Sequence, residues 1–268
     1  MADYKPSLVA LLTDFGYDDP WVASMKAALL SINPTLEILD ITHSIAPHDV
    51  FSGAFTLYRN YRDFPIGTVF LCVVDPGVGS GRLPLIVSTD SHYFVGPDNG
   101  VFSFIYEFEE HRVTAVDADH YFRKPVSDTF HGRDVFAPVA GWLTKRVETS
   151  RFGQPLQDYV KLEVPKDAVV GASISGGEVC AVDRFGNLIT NIRVSTLKDL
   201  ALASGKKGFR VEIAGKEIPL LKGGYRQSVP IFSLINSSGL LEIASPGKPA
   251  SEVLGVTGRG TEVTVSAR

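Results

Sequence analysis

Cysteine is scarce in this chain of 268 residues: there are two, Cys72 and Cys180, both inside apolar runs. Thiols placed that way give neither a disulfide framework nor zinc-ligand spacing. They read as reduced core residues of a cytoplasmic protein. A basic tail is missing, as is any Lys/Arg-rich run. With 26 Lys and Arg against 30 Asp and Glu, the net charge is −4, which argues against nucleic acid as a main partner. No apolar stretch approaches the ~20 residues that cross a bilayer, so no membrane role is expected. The opening MADYKPSLVALLTDFG lacks a charged n-region and a cleavage site, and is not expected to be a signal peptide. Internal repeats and low-complexity tracts are absent too. What is present is an ordinary globular composition, 44% hydrophobic, on a chain long enough to bury a core without staples.

The first half alternates strands and helices. Leu8 to Leu12 reads as a strand ending at Asp14. Asp19 as N-cap and Pro20 at the first helical position then start a helix to about Ser31. Glu37 to Ile41 is a second strand, and Asp49 caps a second helix, Val50 to Tyr61. Thr68 to Arg82, TVFLCVVDPGVGSGR, opens on a β-branched apolar run suited to a strand buried on both faces. This β-α-β-α-β order predicts a parallel sheet with right-handed crossovers. A hairpin (Leu85 to Val95), a short aromatic helix (Val101 to Phe108), a strand (Val113 to Val116) and a helix from Asp134 to about Lys145 follow. Phe152 to Pro165 reads as a linker. Beyond it, short strands between glycine turns, interrupted by one helix (Ser195 to Ala201), predict a small antiparallel β-barrel. The expected domains are residues 1–160, α/β, and 161–268, β-barrel.

Asp14, Asp75 and Asp183 stand at strand ends or turns. A carboxylate there can bind a ribose diol, an amine or a water; as a lone residue it more often caps a turn. Gly77-Val78-Gly79-Ser80-Gly81 is not a phosphate loop: no Lys-Ser/Thr follows, and the next segment is extended. No Gly-x-Ser-x-Gly elbow serves a serine hydrolase. No His/Cys/Asp set has metal spacing, so neither metal nor cofactor is expected. His131 rises above the other five histidines through its company in Thr129-Phe130-His131-Gly132-Arg133-Asp134. In Val182-Asp183-Arg184-Phe185-Gly186-Asn187, an aromatic and an amide offer a purine a stacking face and an edge partner. A polar β-turn explains them equally well.

Together LTDFGYDD, ITHSIAPHDV, VVDPGVGSGR, VGPDNGVF, TFHGRD, VDRFGNLITNI and INSSGLLEIA resemble, in order, the S-adenosyl-L-methionine hydroxide adenosyltransferases, the SAM hydrolases related to fluorinase and chlorinase. The resemblance implies the α/β-plus-barrel fold and a homotrimer. Each active site would lie between one subunit's amino-terminal domain and the next subunit's carboxyl-terminal domain. It implies a catalytic set of Asp75, Arg82 and His131, with Asp75 and His131 orienting a water and accepting its proton while Arg82 fixes Asp75. The halogenases carry Tyr in place of Asp75, so the implied reaction is hydrolysis of SAM to adenosine and L-methionine. A halogenase and a non-catalytic SAM or adenosine sensor are the alternatives. For the substrate, the resemblance assigns Asp14 to the ribose diol, Asp183 to the methionine ammonium and Asn187 to the adenine edge. Tyr225 would stack on adenine, and Ser237 with Ser238 would meet the methionine carboxylate; the halogenases have arginine at the latter position.

Overall fold

The computed structural model describes residues 8–268. The stretch before Leu8, the first part of the segment weighed as a signal peptide, lies outside the described residues. The chain forms two compact units, the first ending at Val164 and the second spanning Pro165–Arg268.

In the first unit, β1 (Leu8–Thr13), α1 (Trp21–Ile32), β2 (Glu37–Thr42), α2 (Val50–Asn60) and β3 (Val69–Val73) follow the expected alternation. Then come β4 (Pro84–Thr89), β5 (Tyr93–Pro97), α3 (Ser103–Phe108), β6 (His111–Ala115) and α4 (Ala137–Thr144). They build a six-stranded sheet of order β2-β1-β3-β5-β4-β6. Strands β2, β1, β3 and β5 are parallel, and β4 runs antiparallel between β5 and β6. The parallel centre is the apolar one: every residue of β1 and β3 is buried. Strand β1 pairs with β3 so that Thr13 faces Val73. Asp14 and Asp75 therefore leave the same carboxyl edge of adjacent strands, where open α/β sheets bind ligands.

Asp49 caps α2 as expected, its Oδ1 accepting the Ser52 N–H at 3.0 Å. Asp19 does not cap α1. Pro20 holds that position, and its carbonyl accepts the Ser24 N–H at 2.9 Å with no side-chain cap. The expected helix from Asp134 begins earlier, as a π-helical turn over Gly132–Phe136 that runs into α4. The segment after Phe152 is no free linker. Leu156 N–H donates to Val113 C=O at 2.8 Å, and Val160 N–H to Asp98 Oδ1 at 2.8 Å, so it lies along the first unit.

The second unit contains β7 (Ala168–Val170), β8 (Ser173–Ser175), β9 (Val179–Val182), β10 (Leu188–Arg193), α5 (Val194–Ser204), β11 (Phe209–Ile213) and β12 (Lys216–Ile218). It continues with β13 (Phe232–Ile235), β14 (Leu240–Ala244), α6 (Ala250–Leu254) and β15 (Val263–Ala267). Two antiparallel sheets, β13-β14-β10-β9 and β12-β11-β15-β8-β7, enclose an apolar core that includes Leu188, Val211, Ile243 and Val265. Isolated bridges link the two sheets: Glu178–Glu262 joins the residues beside β9 and β15, and Leu220–Ser233 joins the segment after β12 to β13. The expected hairpin turn is Ala214-Gly215, with φ +50° and +71° between paired Ile213 and Lys216. Helix α6 was not expected.

Candidate active site and ligand cavity

Asp75 follows the buried end of β3, and the glycine loop returns Arg82 to it. Arg82 Nε lies 2.9 and 3.0 Å from Asp75 Oδ1 and Oδ2, and Nη2 also donates to Oδ2. The pair is nearly dry, the side chains being 4% and 9% exposed for Asp75 and Arg82. The guanidinium carbon sits 5.0 Å from the centre of the Phe136 ring. Its Nη2 also lies 2.9 Å from His131 Nδ1. A guanidinium only donates, so Nδ1 is the acceptor and the neutral ring carries its proton on Nε2. Burial, and then the Arg82 charge, hold His131 below the usual histidine range; Asp75, Asp128 and Asp134 pull weakly the other way.

Two features bring His131 to the loop. Gly79 has φ +75°, and a Cβ there would stand 2.4 Å from the Asp128 carbonyl oxygen. Only glycine lets the loop lie that close to the segment leading into His131. Behind it, the fully buried Asp134 accepts the Ser127 N–H at 3.0 Å and two Arg133 bonds at 2.7 and 2.8 Å. Asn99 Nδ2 donates to Val74 C=O at 2.8 Å and fixes the strand end that carries Asp75.

Asp14 leaves the neighbouring strand. Its Oδ2 accepts the His48 N–H at 2.8 Å, and His48 has φ +68°. Such a conformation is uncommon in a non-glycine residue, though histidine adopts it more readily than most. Thr13 Oγ1 meets His43 Nδ1 at 2.8 Å, and Gly16 N–H donates to His43 C=O at 2.8 Å. The two histidines of ITHSIAPHDV thus hold the Asp14 loop.

In the second unit, a cavity of ≈ 680 Å³ is lined by Asp183, Phe185, Asn187, Tyr225, Arg226 and Ser245 among others. Its volume suits a drug-sized ligand. Phe185 is 77% exposed, an aromatic face open to it. Asp183 Oδ1 accepts the N–H groups of Phe185 and Asn187 at 2.8 and 2.9 Å, and Oδ2 accepts Asn187 Nδ2 at 2.9 Å. One N–H of the Asn187 amide is engaged, which leaves the other N–H to donate and Oδ1 to accept. Gly186 lets this turn rest on Pro249, since a Cβ would fall 2.3 Å from it. Tyr225 donates to Glu242 Oε1 at 2.8 Å. The tyrosine is pushed up to about 12 by burial first, then by Glu242 and Asp183.

Asp75, Arg82 and His131 therefore meet in one cluster, with Asp14 on the same sheet edge. Asp183, Asn187 and Tyr225 share one cavity. Ser237 and Ser238 are exposed and do not line it. Among the described residues, no cluster of His, Cys, Asp and Glu could hold a metal. Phe136, His48 and Glu242 were not anticipated, while Asp134 was read only as company for His131. Phe136 lies just beyond TFHGRD, His48 in ITHSIAPHDV and Glu242 in LEIA, but nothing in spacing distinguishes them from core or capping residues.

Family models describe both halves. One for the SAM hydroxide adenosyltransferase N-terminal domain matches residues 9–153, and one for the C-terminal domain matches residues 177–264. The chain belongs to the SAM hydroxide adenosyltransferase family. It is 34% identical over 269 residues to the (R)-S-adenosyl-L-methionine hydrolase of Methanocaldococcus jannaschii, covering 96% of this chain and 95% of the relative. Relatives named fluorinase are more distant: that of Actinoplanes sp. is 27% identical over 71% of this chain and 73% of its own. An uncharacterized conserved protein from Thermotoga maritima has a similar solved structure, with TM-score 0.87 and 36% identity over 97% of this chain and 100% of that one.

Proposed function

We propose that this chain hydrolyses S-adenosyl-L-methionine to adenosine and L-methionine with its own side chains and no metal or other cofactor. The observation that carries the reading is the buried Asp75–Arg82–His131 cluster at the carboxyl edge of β3, in a chain most of whose length matches relatives named for this hydrolysis.

The sulfonium is already a good leaving group, so nothing must protonate the departing methionine. The enzyme has to place a water in line behind C5′ and receive one proton. The water oxygen bonds to C5′, the C5′–S bond breaks, and sulfur keeps the pair as a neutral thioether. Holding water and C5′ in near-attack geometry supplies up to about 7–11 kcal/mol. The tautomer at His131 divides the labour. With Nδ1 accepting from Arg82, His131 offers the water an Nε2–H, which orients it but takes no proton. Asp75 receives the proton, through the lone pair that Oδ1 retains beside its single bond from Nε. Arg82 holds the carboxylate in place until attack.

In this reading Asp14 holds the ribose diol, Asp183 the methionine ammonium, Asn187 the adenine edge through Oδ1, and Tyr225 stacks on adenine. Ser237 and Ser238 meet the methionine carboxylate. A homotrimer would bring one subunit's triad to the next subunit's cavity. Charge supports such an arrangement: residues 165–268 carry thirteen Lys and Arg against nine Asp and Glu, while residues 1–164 carry thirteen against twenty-one. The two cysteines are buried thiols outside any disulfide, which suits a reducing, cytoplasmic setting.

Incubation with SAM in ¹⁸O-water, with and without halide, tests the proposal. Expected products are ¹⁸O-adenosine and unlabelled L-methionine, unchanged by halide. Halogenated nucleoside, or binding without turnover, overturns it. Asp75→Ala should lower kcat by about 10²-fold or more.

A further inference from the structure

Glu242 is 2% exposed on β14, a strand otherwise made of Leu240, Leu241, Ile243 and Ala244. A buried carboxylate is costly unless its oxygens are hydrogen-bonded. Both are. Oε1 accepts from the Tyr225 hydroxyl at 2.8 Å and Oε2 from Asn236 Nδ2 at 3.1 Å. Tyr225 forms a wall of the cavity shared with Asp183 and Asn187. Asn236 has a separate task at its other atom: Oδ1 accepts the N–H groups of Ser238 and Leu240 at 3.0 and 3.1 Å, folding the turn that carries Ser237 and Ser238 between β13 and β14. One carboxylate thus joins two places that the substrate reading assigns to opposite ends of SAM. The raised Tyr225 keeps its hydroxyl a donor across the physiological range.

We infer that Glu242 is a positioning residue that sets the stacking face of Tyr225 and the Ser237–Ser238 turn together, so that the adenine and methionine ends of the substrate are gripped in fixed relation. This rests on the S-adenosyl-L-methionine reading above. Glu242→Met keeps most of the volume and removes both acceptors. Glu242→Gln can still accept from Asn236 while its amide donates to the Tyr225 oxygen, so it serves as the conservative rescue. Tyr225→Phe breaks one arm alone.

The experiment measures KM and kcat for SAM, equilibrium binding of adenosine and of L-methionine separately, and the melting temperature of each variant. Glu242→Met should raise KM about tenfold or more, the scale of losing hydrogen bonds to a charged group, with kcat within about threefold. It should weaken both fragments. Glu242→Gln should return KM to within about threefold of wild type, and Tyr225→Phe should weaken adenosine but not L-methionine. A lowered melting temperature with KM and both fragments unchanged would make Glu242 merely structural and overturn the inference. So would weakening of adenosine alone in Glu242→Met. Should that variant fail to fold, unchanged adenosine binding in Tyr225→Phe overturns the inference by itself. Wild-type protein that neither hydrolyses SAM nor binds adenosine overturns the substrate reading and the inference with it. Wild-type hydrolysis with unaltered variants overturns the inference alone.

Discussion

Replacing Arg82 with methionine takes a cation out of a site that holds almost no solvent. Asp75 loses bonds from Nε at 2.9 and 3.0 Å and from Nη2, and His131 Nδ1 loses its donor at 2.9 Å. The Phe136 ring loses a cation 5.0 Å from its centre. The methionine stem still covers Gly77, so the cost is mainly electrostatic. Removing one partner of a buried pair costs about 3–5 kcal/mol, because the other charge stays behind unpaired. With a urea slope of about 2 kcal/mol/M, the unfolding midpoint should fall by roughly 2 M. Both tryptophans, Trp21 and Trp142, belong to the first unit, so their fluorescence reports on the part of the chain that holds the pair. Turnover should drop about 10²-fold or more, as when a preorganised group is removed from a reacting centre. A midpoint shift below about 0.5 M, where the urea slope makes the loss only ~1 kcal/mol, would refute the buried-pair reasoning.

His131 is held below its ordinary value of 6.5 by burial and by Arg82, against Asp75, Asp128 and Asp134. Protonation would set a second cation against Arg82 and break the Nδ1 bond, so kcat/KM should stay flat down to pH 6.5 and fall only below it. The same sign governs stability: a depressed histidine adds stability above its unfolded-state value, and this is lost as pH drops through the folded one. An acid limb centred at pH 7 or higher would contradict the geometry. Gly79→Ala forces a side chain into φ +75° and within 2.4 Å of the Asp128 carbonyl. The left-handed backbone alone costs about 1–2 kcal/mol, and the displaced loop should lower kcat at least tenfold, on the scale of a 1 Å misplacement. Gly81→Ala, with no atom within 4 Å of its Cβ, should behave as wild type; equal losses in the two variants would show that the close approach is not what matters.

The parts of the fold that were legible in sequence are those set by short-range chemistry. The run Val69 to Val74 stops at Asp-Pro-Gly because Pro76 has no N–H to give the ladder and Gly77 favours a turn. Asp49 reads as a cap because its carboxylate reaches the Ser52 N–H without help from distant residues. What failed depended on partners remote in sequence. The stretch after Phe152 looks like a linker by composition, yet its backbone is held by Val113 and Asp98, some forty to sixty residues earlier. Asp19-Pro20 misled by one position, since Pro20 supplies the carbonyl for the first helical bond and so sits at the cap itself.

The site divides along the same line. Ordered motifs pointed to Asp75, Arg82 and His131 as one group, and the structure brings them within hydrogen-bond reach. No motif states which ring nitrogen faces the arginine, and that choice decides the chemistry. A histidine whose Nδ1 were free could share the role of base. One whose Nδ1 is occupied by a guanidinium presents only a donor, and in the proposed reaction the role of proton acceptor falls to the carboxylate that the same guanidinium holds in place. The glycine loop matters for this reason. By allowing contact with the Asp128 carbonyl, Gly79 brings the loop against the His131 segment, and with it Arg82 within reach of Nδ1 as well as Asp75. The tautomer is therefore a consequence of backbone approach, and a change at a residue with no side chain should alter which group can take a proton.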